Sequence, residues 1–245
     1  VFFALILGIH RLYLFSNRQL YQKHRRPKLL LHYETHHAPL FDIIYQLFRF
    51  TIRHIMNKPI KILGLSGSIR KESYNTLLIM ETQKISEDLL ENQMHISIYP
   101  LNNIPLYNND LESDFHFPKE VEKFRDLIRD SDALLISSPE YNGSVTGVLK
   151  NALDWASRKD NHTTRPLEGK AVAIIGAGGG SGTKNSQKHL QSILNHTKST
   201  IIDNTYVGIE HTWKYVTNNH IDDSNIIEKL TKVAQDIYKY CLNEK

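Results

Sequence analysis

The 245 residues, 40% hydrophobic and 23% charged, give an ordinary globular composition with enough chain for one or two domains and a substantial core. A single cysteine, Cys241, excludes an intramolecular disulfide and a cysteine-based metal site, and fits a reducing, cytoplasmic setting. The net charge of +4 is uneven: residues 1–57 carry eight Lys/Arg against two acids and residues 58–245 carry 22 against 24, so the charge gives no case for a nucleic-acid groove on the main body.

Residues 1–57 read as a basic, partly apolar N-terminal extension. The apolar run 1–15 is interrupted by His10 and Arg11 and falls short of the roughly 20 apolar residues that cross a bilayer. A basic run, 23–28, and an aromatic-rich segment, 40–55, follow. The latter could lie as an amphipathic helix on a membrane or a partner, although a poorly ordered, targeting or non-native leader is the favoured reading. The His-x4-Asp spacing of His37 and Asp42 resembles the acid–base motif of glycerolipid acyltransferases, but the chain moves into an unrelated fold before a further acyltransferase domain could form. His36 and His37 lack a third ligand, so no metal site is expected.

From Lys58 onward apolar strands alternate with amphipathic helices. Strands are predicted over 60–66, 95–99, 133–137, 171–176 and 200–207. Helices are predicted over 76–91, 119–130, 146–158, 183–196 and 224–242. Pro118 suits the first turn of the second helix, and the 133–137 run is apolar throughout, as a strand covered on both faces requires. Five βα units imply a doubly wound, mostly parallel sheet with right-handed crossovers and helices on both faces. Residues 58–245 are therefore read as one α/β domain. Trp155, in the third helix, could pack in the core or against a partner subunit.

Ligands in such a sheet bind beyond the carboxyl ends of the strands, and three loops there are distinctive. After the first strand comes Ser66-Gly67-Ser68, then Arg70, Ser73, Asn75 and Thr76 at the opening of a helix. Free N–H groups and the positive helix end make such a turn an anion site, and Arg70 adds a fork suited to phosphate. Ser73 and Asn75 also suit an N-cap, a role compatible with phosphate binding. After the third strand comes Ser138-Pro139-Glu140-Tyr141-Asn142-Gly143-Ser144. After the fourth, 176–182 holds five of the 12 glycines. This last loop lacks the G-x-G-x-x-G spacing of a dinucleotide fingerprint.

Gly67-Ser68-x-Arg70-x-x-Ser73-x-Asn75, followed by Pro139-Glu140-Tyr141-Asn142-Gly143-Ser144, resembles the NADPH-dependent FMN reductase family, which includes quinone, chromate and azo-dye reductases. The resemblance covers 58–245 and implies a flavodoxin-like five-stranded sheet in the order 2-1-3-4-5. It implies FMN as cofactor and NADPH or NADH as hydride donor. Ser68, Arg70, Ser73, Asn75 and Thr76 would bind the FMN phosphate. Pro139, Glu140, Tyr141, Asn142 and Gly143 would lie along the flavin ring, and Gly178, Gly179 and Ser181 would approach its other edge. No protein side chain need be catalytic, because flavin N5 carries the chemistry. An oxidoreductase passing electrons from nicotinamide to a quinone, flavin or similar acceptor by a ping-pong mechanism is implied, as a homodimer or homotetramer. The alternatives are a flavodoxin-type electron carrier and a membrane-associated, non-enzymatic flavin-binding protein.

Overall fold

The computed structural model describes residues 59–91, 93–203 and 206–243. The readings made on 1–57 lie outside these. The described sheet is built from β1 (Ile60–Ser66), β2 (Met94–Tyr99), β3 (Ala133–Ser137), β4 (Ala171–Ala177), β5 (Thr200–Ile201) and β6 (Val207–Ile209). Its order is β2-β1-β3-β4-β5, all neighbours parallel, with β6 also pairing β4. Five helices flank it: α1 (Tyr74–Leu90), α2 (Lys119–Asp130), α3 (Gly147–Ala156), α4 (Lys184–His196) and α5 (Ser224–Asn243).

The strand sequences explain the layering. β3 and β4 are buried along their whole length, and β1 at every position but Lys61. Side chains that alternate across such strands feed two separate cores. On one face Ile62, Ile96, Leu135 and Ala173 meet Leu78 and Ile79 of α1 and Val233 and Ile237 of α5. On the other, Leu63, Leu65, Leu134 and Ile174 meet Phe124 of α2, Leu149 and Trp155 of α3, and Leu190 of α4. Thus α1 and α2 leave the β1–β2 pair on opposite faces, and the switch point falls between the carboxyl ends of β1 and β3.

Two differences from the sequence reading, and one choice that it left open, have physical causes. The fifth strand position is split: β5 pairs Ala171 and Val172, β6 pairs Ile175 to Ala177, and the chain between them contains Asp203, a poor strand former. A small hairpin, β7 (Val216–Thr217) with β8 (His220–Ile221), turns over Asn218 and Asn219, whose φ values of 51° and 58° fit a primed turn. His220 Nδ1 lies 2.6 Å from Glu81 Oε1, joining this hairpin to α1. Trp155 belongs to its own domain's core: it is fully buried, Nε1 donates to the Pro105 carbonyl at 2.8 Å, and Tyr107 packs edge-on at 4.8 Å. No helix among the described residues is long and apolar enough to cross a membrane.

Candidate functional site

The registers Ser66↔Ser137 and Ser137↔Ile175 bring three loops off the sheet at one level. The loop after β1 is braced before it reaches α1. Gly67 N–H donates to the Ser137 carbonyl at 2.7 Å, and Thr146 Oγ1 donates to the Gly67 carbonyl at 2.6 Å. A Cβ on Gly67 would sit 2.9 Å from Ser138 Oγ, so glycine lets the first two loops touch. Thr76 Oγ1 donates to Ser66 Oγ at 2.9 Å, and the Ser68 N–H donates to the same oxygen at 3.3 Å. Ser73 is the N-cap of α1, accepting from Thr76 N–H at 3.3 Å.

This bracing leaves an anion seat. Tyr74 and Asn75 are the first residues of α1, and their N–H groups have no partner within the helix. The first turn of α1 carries no acid, whereas α2 has Glu120 and Glu122 there. Ser68 is half-buried at the mouth, and the exposed Arg70 guanidinium lies 5.0 Å from the Tyr74 ring centroid. A hydroxyl, a permanent cation and main-chain donors form a donor set whose chemistry fits a phosphate.

The loop after β3 is a tight hairpin. Tyr141 and Ser144 exchange both backbone hydrogen bonds at 3.0 and 3.1 Å, and Asn142 and Gly143 have φ values of 52° and 72°. The pair forms a primed turn, which Asn-Gly fits best. Tyr141 is thereby held 54% exposed, with the Asn142 side chain also exposed. Pro139 is buried, its carbonyl accepting from Ser186 Oγ at 3.0 Å.

Glu140 is committed elsewhere. Its carboxylate accepts from the Asn185 N–H at 2.8 Å and the Ser186 N–H at 3.2 Å, and Ser181 also reaches it. It caps α4 from a neighbouring loop, because Thr183 at the N-cap makes no side-chain cap bond and sits at φ 63°. Burial opposes its ionisation, but the Ser186 and Asn185 donors outweigh this and hold its pKa below the usual carboxylate range. A depressed carboxyl pKa stabilises the fold above the ordinary carboxylate range, and the gain is lost as pH falls through the folded value. Glu140→Gln should lower unfolding free energy by about 1 kcal/mol at neutral pH. Urea unfolding should show the difference from wild type shrinking below pH 4.

In the third loop, glycine serves packing at some positions and openness at another. A Cβ on Gly176 would overlap Thr183 Oγ1 and approach the Ser138 carbonyl at 2.7 Å, and one on Gly178 would meet Thr183 Cγ2 at 2.8 Å. Gly179 has nothing within 4 Å of such a Cβ, so the loop's tip faces open space near exposed Ser181. The segment after β6 supports the loop: His211 N–H donates to Gly179 O at 3.2 Å, and Thr212 N–H to Gly178 O at 3.3 Å.

Asn75 links all three loops. Its Oδ1 accepts from Ala177 N–H and Ser137 Oγ, each at 2.9 Å, and its Nδ2 donates to Ala177 O at 2.9 Å. Its side chain is thus committed to protein, although its N–H remains in the anion seat. The bracing residues Ser137, Thr146 and Asn185 were not singled out in the sequence. Each is a common polar residue whose partner is named only by the strand order. Among the described residues no cluster of His, Cys, Asp or Glu could hold a metal ion.

Comparison with known proteins agrees with this arrangement. Residues 60–214 match the family described as NADPH-dependent FMN reductase. The chain is 46% identical over 140 residues to an NAD(P)H-dependent FMN reductase of Pseudomonas aeruginosa, covering 57% of this chain and 71% of that protein. It is 39% identical over 140 residues to the quinone reductase of Escherichia coli, with 57% and 71% covered. Among solved structures it resembles FerB, a flavoenzyme NAD(P)H:(acceptor) oxidoreductase from Paracoccus denitrificans. The TM-score is 0.66 and the identity 28%, covering 75% of this chain and 98% of that one.

Proposed function

The chain belongs to the NADPH-dependent FMN reductase family, and from that premise we propose how its residues divide the work of an NAD(P)H-dependent oxidoreductase. Residues 58–245 make up the flavin-binding domain, and 1–57 an extension outside it. The observation that carries the assignment is the α1 N-terminus, lined by donors and without a carboxylate in its first turn, beside two loops that leave open space.

Ser68, Arg70 and the N–H groups of Tyr74 and Asn75 hold the phosphate of FMN. The Ser73 and Thr76 hydroxyls shape that turn. Tyr141 and Asn142 on the rigid hairpin and Gly179 on the third loop receive the ring, while Pro139 and Glu140 hold the hairpin against α4. When bound there, FMN would supply the redox chemistry that links NAD(P)H oxidation to reduction of a second acceptor. The protein binds and orients, and none of these side chains must transfer a proton.

The same mouth serves nicotinamide and acceptor in turn, so turnover is ping-pong. Quinones are the acceptor class to which the relatives' names point. Arg70 makes the mouth locally positive and helps dock a phosphate-bearing nicotinamide. Assembly as a homodimer or homotetramer in the cytoplasm belongs to this reading, with the exposed Leu106 and Ile69 as apolar surface to bury. Initial rates at varied NADPH and quinone should give parallel double-reciprocal lines. Lines that intersect would contradict the shared mouth.

A further inference from the structure

The Asn75 carboxamide is buried, and its arrangement is that of a peptide group in a sheet. Ala177 lies at the end of β4, beyond the last residue of β3 that pairs with it, because the β3–β4 register ends at Ser137↔Ile175. On its other side β4 is still paired, with Ala177 opposite Ile209 and Gly178 N–H donating to Ile209 O at 3.0 Å. The N–H and C=O of Ala177 both face the side that β3 has left, and a buried backbone pair there needs partners. Asn75 supplies them, accepting from the N–H and donating to the C=O at 2.9 Å each. Ser137 Oγ, at the end of β3, donates to the same Asn75 oxygen. The side chain of α1's second residue therefore extends the β3 edge by one position and ties α1 to the base of the glycine loop.

We infer that Asn75 is a positioning residue that sets where Gly178 and Gly179 stand against the flavin ring, and that its side chain does not bind the phosphate. The inference rests on the proposed flavin seat. The phosphate donors sit on the α1 side of the tie and the glycine loop on the β4 side. Loss of the carboxamide releases the loop, while α1's N-terminus keeps the Ser73 cap and the Thr76–Ser66 bond. Flavin affinity should then fall through the ring, the part that FMN and riboflavin share.

The test compares dissociation constants for FMN and for riboflavin in the full-length wild type, Asn75→Ala, Ser137→Ala and Arg70→Ala, together with urea unfolding of each. Asn75→Ala should weaken both flavins by a similar factor, about tenfold. Ser137→Ala, which removes only one bond of the tie, should do the same to a smaller degree and keeps the test readable if Asn75→Ala folds poorly. Arg70→Ala should weaken FMN alone. If Asn75→Ala and Ser137→Ala weaken FMN and spare riboflavin, the carboxamide and its partner serve the phosphate and the inference is overturned. It is equally overturned if both variants lose stability while both affinities stay unchanged. A wild type that binds neither flavin would instead overturn the proposed seat, and the inference with it.

Discussion

Arg125→Ala should lower the unfolding free energy by about 3–5 kcal/mol, because it strands buried polar groups as well as removing a side chain. Arg125 lies in α2 and is only 2% exposed. It donates to the Trp155 carbonyl at 2.5 Å, to the Arg158 carbonyl at 2.8 Å and to Asp160 Oδ2 at 2.6 Å. Its guanidinium also stacks 4.2 Å from the Phe117 ring centroid. Arg129 reaches the same Asp160 oxygen, so the variant leaves the carboxylate with one cation fewer. Burial resists ionisation of Asp160, but the Arg125 hydrogen bond, the His162 N–H and both cations outweigh it. Its pKa lies well below the usual carboxylate range. That contribution is present above the unfolded carboxylate range and disappears as pH falls toward the folded value. The wild type should therefore lose stability on acidification more steeply than Arg125→Ala. Urea midpoints at pH 7 and pH 3 measure both effects, and a loss under about 1 kcal/mol at neutral pH would be that of a surface pair.

Arg70→Ala should raise the dissociation constant for FMN by about 10- to 100-fold, the range of one charge-assisted hydrogen bond. Riboflavin, which lacks the phosphate, should bind the variant as it binds the wild type. Arg70 is exposed and rests against Tyr74, so its removal should leave stability nearly unchanged. Raised salt should narrow the gap between wild type and variant, since an exposed cation is screened. Fluorescence titration with each flavin gives the ratio directly. Unchanged FMN retention together with an unchanged KM for NADPH would remove Arg70 from the site.

The strands and the three loops were legible because each carries a local signal, whereas the strand order was implied by the family resemblance. Apolar runs marked β1, β3 and β4, and Gly67 and Ser68 marked the first turn; the hairpin at Asn142 and Gly143, both at positive φ, was read only as part of a loop. The tertiary use of several residues was not legible. Asn75 meets Ala177 across 102 positions of chain, Thr146 meets Gly67 across 79, and Glu140 meets Asn185 across 45. Such partners follow from which strands are neighbours, and no short spacing encodes them. Arg125 was hidden in the same way: it adjoins Phe124 on the buried face of α2, and its burial makes sense only with Asp160, 35 residues on. The split of the fifth strand turned on a short interruption that a window of apolar character passes over.

The most direct test of the central claim is an anaerobic titration of the FMN-loaded, full-length protein with NADPH and then NADH, following the visible absorption of the flavin. An oxidoreductase of this family should lose that band promptly on adding a nicotinamide and regain it when a quinone is admitted. A protein that holds FMN but keeps its colour with both nicotinamides would contradict the account.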